Sequence, residues 1–116
     1  MNNVALVGRV SNDPIIRTTQ SGGKVASFGI AVSRQKKEET DFFNVVAWDK
    51  TADFIDKYIV KGRLISVTGR LQQKTWESEG QKRHSVEVIA DSVNPLDSKK
   101  EQAASEDPFA LEGEVI

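Results

Sequence analysis

The sequence predicts an all-β chain: a small barrel of about five strands, one short helix set before the last long pair of strands, and a disordered acidic C-terminal tail. Three observations predict this. Apolar residues recur with a period of two through most of residues 3–93, as half-buried strands require. Only the stretch 50–60 changes to helical spacing, and turn-forming Gly and Asn-Asp-Pro clusters punctuate the rest.

Asn3 to Val10 (NVALVGRV) is extended and rich in β-branched and small residues, and Asn12-Asp13-Pro14 breaks it as a turn would. Ile15 to Thr19 resumes the strand, and Ser21-Gly22-Gly23 supplies the next hairpin turn. Lys24 to Arg34 divides cleanly: Ala26, Phe28, Ile30 and Val32 are apolar and predicted to face the core. The alternate positions Ser27, Gly29, Ala31 and Ser33 are small, leaving room for close approach of a backbone or a ligand. Gln35 to Thr40 reads as a charged hairpin loop.

Asp41 to Trp48 (DFFNVVAW) sets Phe42, Asn44, Val46 and Trp48 on one face and Phe43, Val45 and Ala47 on the other. Both faces are largely apolar, which is more than one core can absorb. Either the second face meets another subunit or its aromatics are left as stacking platforms. Asp49 is placed to cap a helix whose Ala52, Ile55, Tyr58 and Ile59 share a side, and Lys61-Gly62 ends it. The strand 64–76 follows, then the turn Ser78-Glu79-Gly80, then Arg83 to Ser92, with Asn94-Pro95 closing the pattern. A helix between the third and fourth strands of a small five-stranded barrel is the OB-fold arrangement. The predicted organisation is a domain over residues 1–95 and an acidic tail over 96–116.

Net charge is −1, yet it is unevenly spread. Residues 1–96 hold 14 Lys and Arg against 11 Asp and Glu, net +3; residues 97–116 hold 2 against 6, net −4. A basic body with an acidic tail is a cue for nucleic-acid proteins, although a solvated tail is common elsewhere. There is no cysteine, so disulfide and thiolate chemistry are excluded, which agrees with a reducing cytoplasm. No apolar run reaches the roughly 18 residues of a membrane span, and strand-like sequence follows Met1 directly, so a soluble cytoplasmic protein is expected.

The stretch Leu64 to Trp76 (LISVTGRLQQKTW) carries the functional signal. Its odd positions Ile65, Val67, Gly69 and Leu71 are predicted to face the core, while Thr68, Arg70, Gln72, Lys74 and Trp76 face outward. Cations beside an exposed indole suit single-stranded nucleic acid: phosphates attract positive charge, and unstacked bases gain from a flat partner.

The residues that carry a family resemblance are VALVGRVSNDPIIR at 4–17, SGGKVASFGIAVSR at 21–34, DFFNVVAWDKTADFIDKYIVKG at 41–62, GRLQQKTW at 69–76 and EVIADSV at 87–93. In these the chain resembles the bacterial single-stranded-DNA-binding protein (SSB) family over about residues 1–95. The resemblance implies an OB-fold, a homotetramer, and wrapping of single-stranded DNA without regard to sequence. It implies that Phe42, Trp48 and Trp76 stack on bases and that Arg17, Lys50, Lys61 and Lys74 face phosphates. Arg34, Arg70 and Arg83 are added from strand geometry. Some family members carry another stacking aromatic in the hairpin that here reads Gln35-Lys36-Lys37, so phosphate contact is expected of this loop. The family's acidic tail ends in Pro-Phe and docks replication and repair enzymes; here Asp107-Pro108-Phe109 continues to Ile116, which puts partner recruitment in doubt.

Catalysis and cofactors are not expected. His84, the lone histidine, has no second histidine or cysteine to build a metal site, so a partly exposed strand residue is the plainer reading. Glu38-Glu39 and Asp53 with Asp56 are paired acids without a nucleophile nearby, and the glycine spacings match neither a P-loop nor a dinucleotide fingerprint. The expected function is non-enzymatic coating of single-stranded DNA in replication, recombination and repair. The alternative is an OB-fold protein-interaction subunit of a replisome or primosome with weak DNA affinity.

Overall fold

The computed structural model describes residues 1–36 and 38–97. Six strands and one helix run in the order β1 (Val4–Val10), β2 (Ile15–Thr18), β3 (Lys24–Ser33), β4 (Thr40–Trp48), α1 (Asp49–Tyr58), β5 (Leu64–Ser78) and β6 (Gln81–Pro95). The strand count is six because the Asn12-Asp13-Pro14 corner divides the first long strand in two. The sheet order is β1-β5-β6-β4-β3-β2, and a short pairing of Arg9 and Val10 with Ala31 and Ile30 closes it between β1 and β3. All pairings are antiparallel except β4 with β6.

The period-two reading of β3 and β4 accounts for the core. Ala26, Phe28, Ile30, Val45 and Ala47 are buried, together with Val10, Ile65, Val67, Val88, Ala90 and Val93 from the remaining strands. Ala52, Ile55 and Ile59 cap this core from the helix, which packs on β3, β4 and β6. The predicted close approach along the small side of β3 occurs at Gly29 and is filled by the chain itself. The Gly29 N–H donates to Asn12 Oδ1 at 2.8 Å, Ser11 N–H donates to the Gly29 carbonyl at 2.8 Å, and an added Cβ would collide with the Ser11 hydroxyl.

Asp49 does not cap the helix as expected. Trp48 occupies the N-cap position without a side-chain cap bond, and Asp49 is the first helical residue, with φ at 54°. The chain turns directly from strand to helix there, so the position Asp would need outside the helix is taken by the strand's last residue. The helix is instead tied to the sheet by charge. Lys24 Nζ on β3 lies 3.0 Å from Asp53 and 2.8 Å from Asp56, and Lys57 reaches Asp53 at 3.1 Å.

These pairs give stability a pH dependence. Lys24, with Lys57 behind it, holds the Asp53 carboxyl below the usual range, and Arg34 does the same for Asp41. A depressed carboxyl stabilises the fold above its unfolded pKa near 4, and that contribution is lost as pH falls through the folded value. The thermal midpoint should therefore drop between about pH 5 and 3, and Asp53→Asn should flatten the decline. An unchanged slope in that variant would remove Asp53 as a contributor. Exposed pairs of this kind contribute modestly and weaken with salt.

The strands β5 and β6 outgrow the barrel. Ile65 and Val67 are fully buried, but Leu71, also expected inward, is 44% exposed. The reason is a change of surroundings at Gly69. There β5 and β6 shift register, pairing Thr68 with Ser92 but Gly69 with Ala90, and leaving Asp91 unpaired. A side chain at Gly69 would run into the Ile89 carbonyl, so the tight crossing needs glycine. β1 pairs with β5 only up to Gly69, so residues 70–78 pair with β6 alone. Residues 70–78 and 81–86 form a two-stranded arm that leaves the barrel, and among the described residues no second layer covers either of its faces. Its turn residues Glu79 and Gly80 both have positive φ, the twist that a two-residue hairpin demands.

Candidate nucleic-acid interface

Directly opposed residues on neighbouring strands point to the same side of a sheet. On the outward side of the barrel the pairings are Arg17 with Val25, Val25 with Trp48, Ala31 with Phe42, Asn44 with Glu87, Glu87 with Gln72, Ile89 with Arg70, Ser85 with Lys74, and Arg83 with Trp76. The inward partners on the same strands are core residues: Ile16 with Ala26, Phe28 with Val45, Val45 with Val88. Seven of the ten predicted residues, Arg17, Phe42, Trp48, Arg70, Lys74, Trp76 and Arg83, thus share one continuous face from β2 across β3, β4 and β6 to the arm.

All three aromatics on this face are open to solvent: Phe42 is 68% exposed, Trp48 49% and Trp76 42%. For Phe42 and Trp48 the exposure follows from alternation, because Val45 and Ala47 on the other side of β4 fill the core, whereas Trp76 is open because its strand has run beyond the barrel. Trp76 and Lys74, with Asn44, Ser85 and Glu87, line an open depression of about 450 Å³ where the arm meets β4. A second depression of about 260 Å³, including Asn12, Ile15, Gly29, Asn44, Val46 and Glu87, continues the track toward β2. Its lining mixes apolar Ile15, Phe28 and Val46 with polar Asn12, Asn44 and Glu87, a mixture that suits bases lying against it.

The cations on the face differ in how free they are. Among the described residues, Arg17, Lys74 and Arg83 make no ion pair, and Arg70 lies 3.9 Å from Asp91. Three predicted cations fall elsewhere. Arg34 follows β3 on the inward parity and is held by Asp41 in a two-pronged contact at 2.9 and 2.8 Å and by Glu39 at 3.1 Å. Those carboxylates, Asp41 foremost, raise the guanidinium's already high pKa. Lys50 sits on the first turn of α1 beside Asp91 and Ser92. Lys61 lies in the loop after α1, its backbone N–H donating to Asp13 Oδ1 at 2.9 Å. Lys37 and the whole of the tail from residue 98 lie outside the described residues.

Sequence reasoning missed Asn44, Ser85 and Glu87 as parts of the interface. Asn44 was legible, since period two sets it between Phe42 and Trp48. Nothing local marks Glu87: its place depends on the parallel pairing of β6 with β4, which joins segments far apart in the chain. No cluster of three or more metal-ligating side chains occurs among the described residues, and none of their helices is long and apolar enough to cross a membrane.

A closed six-stranded barrel with open aromatics and unpaired cations on one outer face defines an OB-fold protein of the kind that holds an extended polymer across its sheet. Known proteins narrow this class. A profile of the Single-strand binding protein family matches residues 1–96, and the chain belongs to that family. It is 44% identical over 115 residues to single-stranded DNA-binding protein 1 of Staphylococcus aureus strain Mu50, covering 94% of this chain and 74% of that protein. Single-stranded DNA-binding protein 1 of Lactococcus lactis is also 44% identical, over 108 residues, covering 88% and 72%. Among solved structures, the Plasmodium falciparum SSB in complex with ssDNA superposes with a TM-score of 0.74 at 32% identity, covering 84% of this chain and 96% of that one.

Proposed function

We propose that this protein binds single-stranded DNA largely without regard to sequence and protects it during replication, recombination and repair. The observation that carries the reading is the shared outward face of Phe42, Trp48, Trp76, Arg17, Lys74 and Arg83. Bases stack on the three aromatics, and the cations follow the phosphates between them. Each stacked base contributes roughly 1–3 kcal/mol in such grooves, so repetition over several subunits yields tight binding without reading a base. A homotetramer, as in the resemblance, would supply that repetition and let one strand run over several faces. Preference for the unpaired strand shifts the melting equilibrium toward it, so hairpins open without ATP or a catalytic group. The cytoplasm, beside the nucleoid, is where such a strand is met.

The binding unit proposed here is residues 1–95, with 96–116 an appended acidic segment. Leu96 N–H still donates to the Leu64 carbonyl at 2.8 Å and Asp97 binds Arg63 at 3.3 Å, so a truncation should end after Asp97. Removing 98–116 is expected to leave strand affinity equal or higher, since the removed segment carries excess negative charge; a large loss would contradict this division.

Tryptophan fluorescence titrated with oligo(dT) at rising salt tests the function. Strong quenching is expected, with a log K against log[salt] slope no steeper than roughly −3 per protomer, because Arg17, Arg70, Lys74 and Arg83 neutralise few phosphates and single strands release about 0.7 counterion for each. An unchanged spectrum at micromolar protein and low salt would overturn the reading.

A further inference from the structure

The arm departs where β1 makes its last backbone pairing with β5, Val4 against Gly69. Beyond Gly69 the next residue of β5 turned to that side is Leu71, and the same antiparallel register sets it against Asn2, ahead of the first residue of β1. There the side chain of Asn2 takes the place of a strand. Its Nδ2 donates to the Leu71 carbonyl at 2.8 Å, and its Oδ1 accepts from the Leu71 N–H at 2.9 Å. A carboxamide carries the donor and the acceptor of a peptide group, so one side chain satisfies both backbone groups that β1 leaves bare. Among the described residues, no other side-chain hydrogen bond or ion pair ties residues 70–78 or 81–86 to anything but β5 and β6. Thr75 with His84 lies within the arm, and Arg70 with Asp91 joins those same two strands.

We propose that Asn2 is a positioning residue for strand binding: its two bonds to Leu71 brace the root of the arm and keep Trp76, Lys74 and Arg83 aligned with Phe42 and Trp48 on the barrel. The proposal rests on the strand-binding reading above and adds to it a residue that acts through the arm. A two-stranded ribbon is marginal by itself, so its direction is set where it joins the barrel. On the β6 side that join is the pairing of Glu87 to Ile89 with β4; on the β5 side Asn2 carries the support one station past Gly69. The aromatics lie on both sides of the join, Phe42 and Trp48 on β4 and Trp76 on the arm. One polynucleotide stacks on all three only while arm and barrel keep a single relative orientation. Losing the brace lowers the fraction of molecules in that orientation, and the apparent affinity falls by the same factor.

The test is a double-variant cycle on the full chain, which isolates the coupling between the two positions. Wild type, Asn2→Ala, Trp76→Ala and the double variant are titrated against labelled oligo(dT) by fluorescence anisotropy at one salt concentration. Asn2→Ala should weaken binding about threefold, toward the low end of what one net hydrogen bond contributes. The penalty should shrink once Trp76 is alanine, because the arm then has no indole to align. An equal or larger penalty in that background, or none in either, would overturn the proposal. Amide hydrogen exchange supplies a second readout. The Leu71 N–H should exchange faster in Asn2→Ala while the Val67 N–H, within the barrel, is unchanged; a Leu71 rate that does not move, or a Val67 rate that rises with it, would equally refute a brace local to the arm. If wild type itself fails to bind oligo(dT), the proposed function falls, an outcome distinct from a wild type that binds and an Asn2 variant that binds as well.

Discussion

Replacing Trp76 by alanine is expected to weaken oligo(dT) binding by roughly five- to a hundredfold, the range set by losing one stacked base per protomer, while leaving the thermal transition in place. The indole stands on the outer side of the arm, opposite Arg83 and two residues from Lys74, with 42% of its surface in water. It is absent from the buried core cluster, so its removal leaves that core intact. Phe42 and Trp48 lie on strand β4 within the barrel proper, so their replacement mixes loss of stacking with loss of sheet contacts. Trp76 separates the two. A variant that binds normally would remove the arm from the interface, and a variant that no longer unfolds cooperatively would make Trp76 a structural residue. Titration and circular dichroism on the same sample distinguish these results.

Arg63→Ala is expected to do the opposite: lower the thermal midpoint and spare the affinity of the folded protein. The Arg63 guanidinium joins three places. It donates to the Tyr58 carbonyl at the end of α1 at 2.6 Å, to the Asp97 carbonyl at 2.7 Å, and to the Asp97 carboxylate at 3.3 Å. The same carboxylate accepts from the Leu64 backbone N–H at 3.3 Å and lies 3.8 Å from Arg9. Both charged side chains are nearly seven-eighths covered, at 12% and 13% exposure, so water replaces the lost partner poorly. Removing one member of such a set costs about 2–3 kcal/mol, which for a domain of this size is a fall of roughly 10–20 °C. Asp97→Asn keeps part of the network and should fall by less. A midpoint unmoved in Arg63→Ala would show that the clasp adds no stability.

Together the two variants separate a site from its scaffold. The arm carries Lys74, Trp76 and Arg83 beyond the barrel and owes its stability to the sheet it extends, since an isolated two-stranded hairpin is marginal in water. Its exposure is therefore a working condition: a second layer that stabilised it would also cover the aromatic face.

The strands, the helix and the alternation of β3 and β4 were legible in the sequence because each depends on local period. Ala26, Phe28 and Ile30 must turn one way if Ser27 and Gly29 turn the other. That Phe42 and Trp48 share a face followed from the same rule, as did the pairing of Lys74 with Trp76 on one side of β5, but period did not say which face of β4 turns outward. Arg34 was placed by the wrong criterion. Added from strand geometry, it in fact has the parity of Ala26, Phe28 and Ile30, and Asp41, which faces Val32 across the hairpin, holds its guanidinium. Leu71 was assigned to the core by period, but period fixes only the side of a strand, not whether a second layer lies there.

What the sequence determined by itself is therefore which side chains can share a face, since that is written into the two-residue repeat of an extended chain. What only the tertiary structure decided is which faces meet and which stay bare. Cross-strand register, the shift at Gly69 and the parallel pairing of β6 with β4 unite residues distant in the chain, Gly69 with Ala90 and Asn44 with Glu87 among them. No local spacing encodes those contacts, because they arise from closing the barrel around its core.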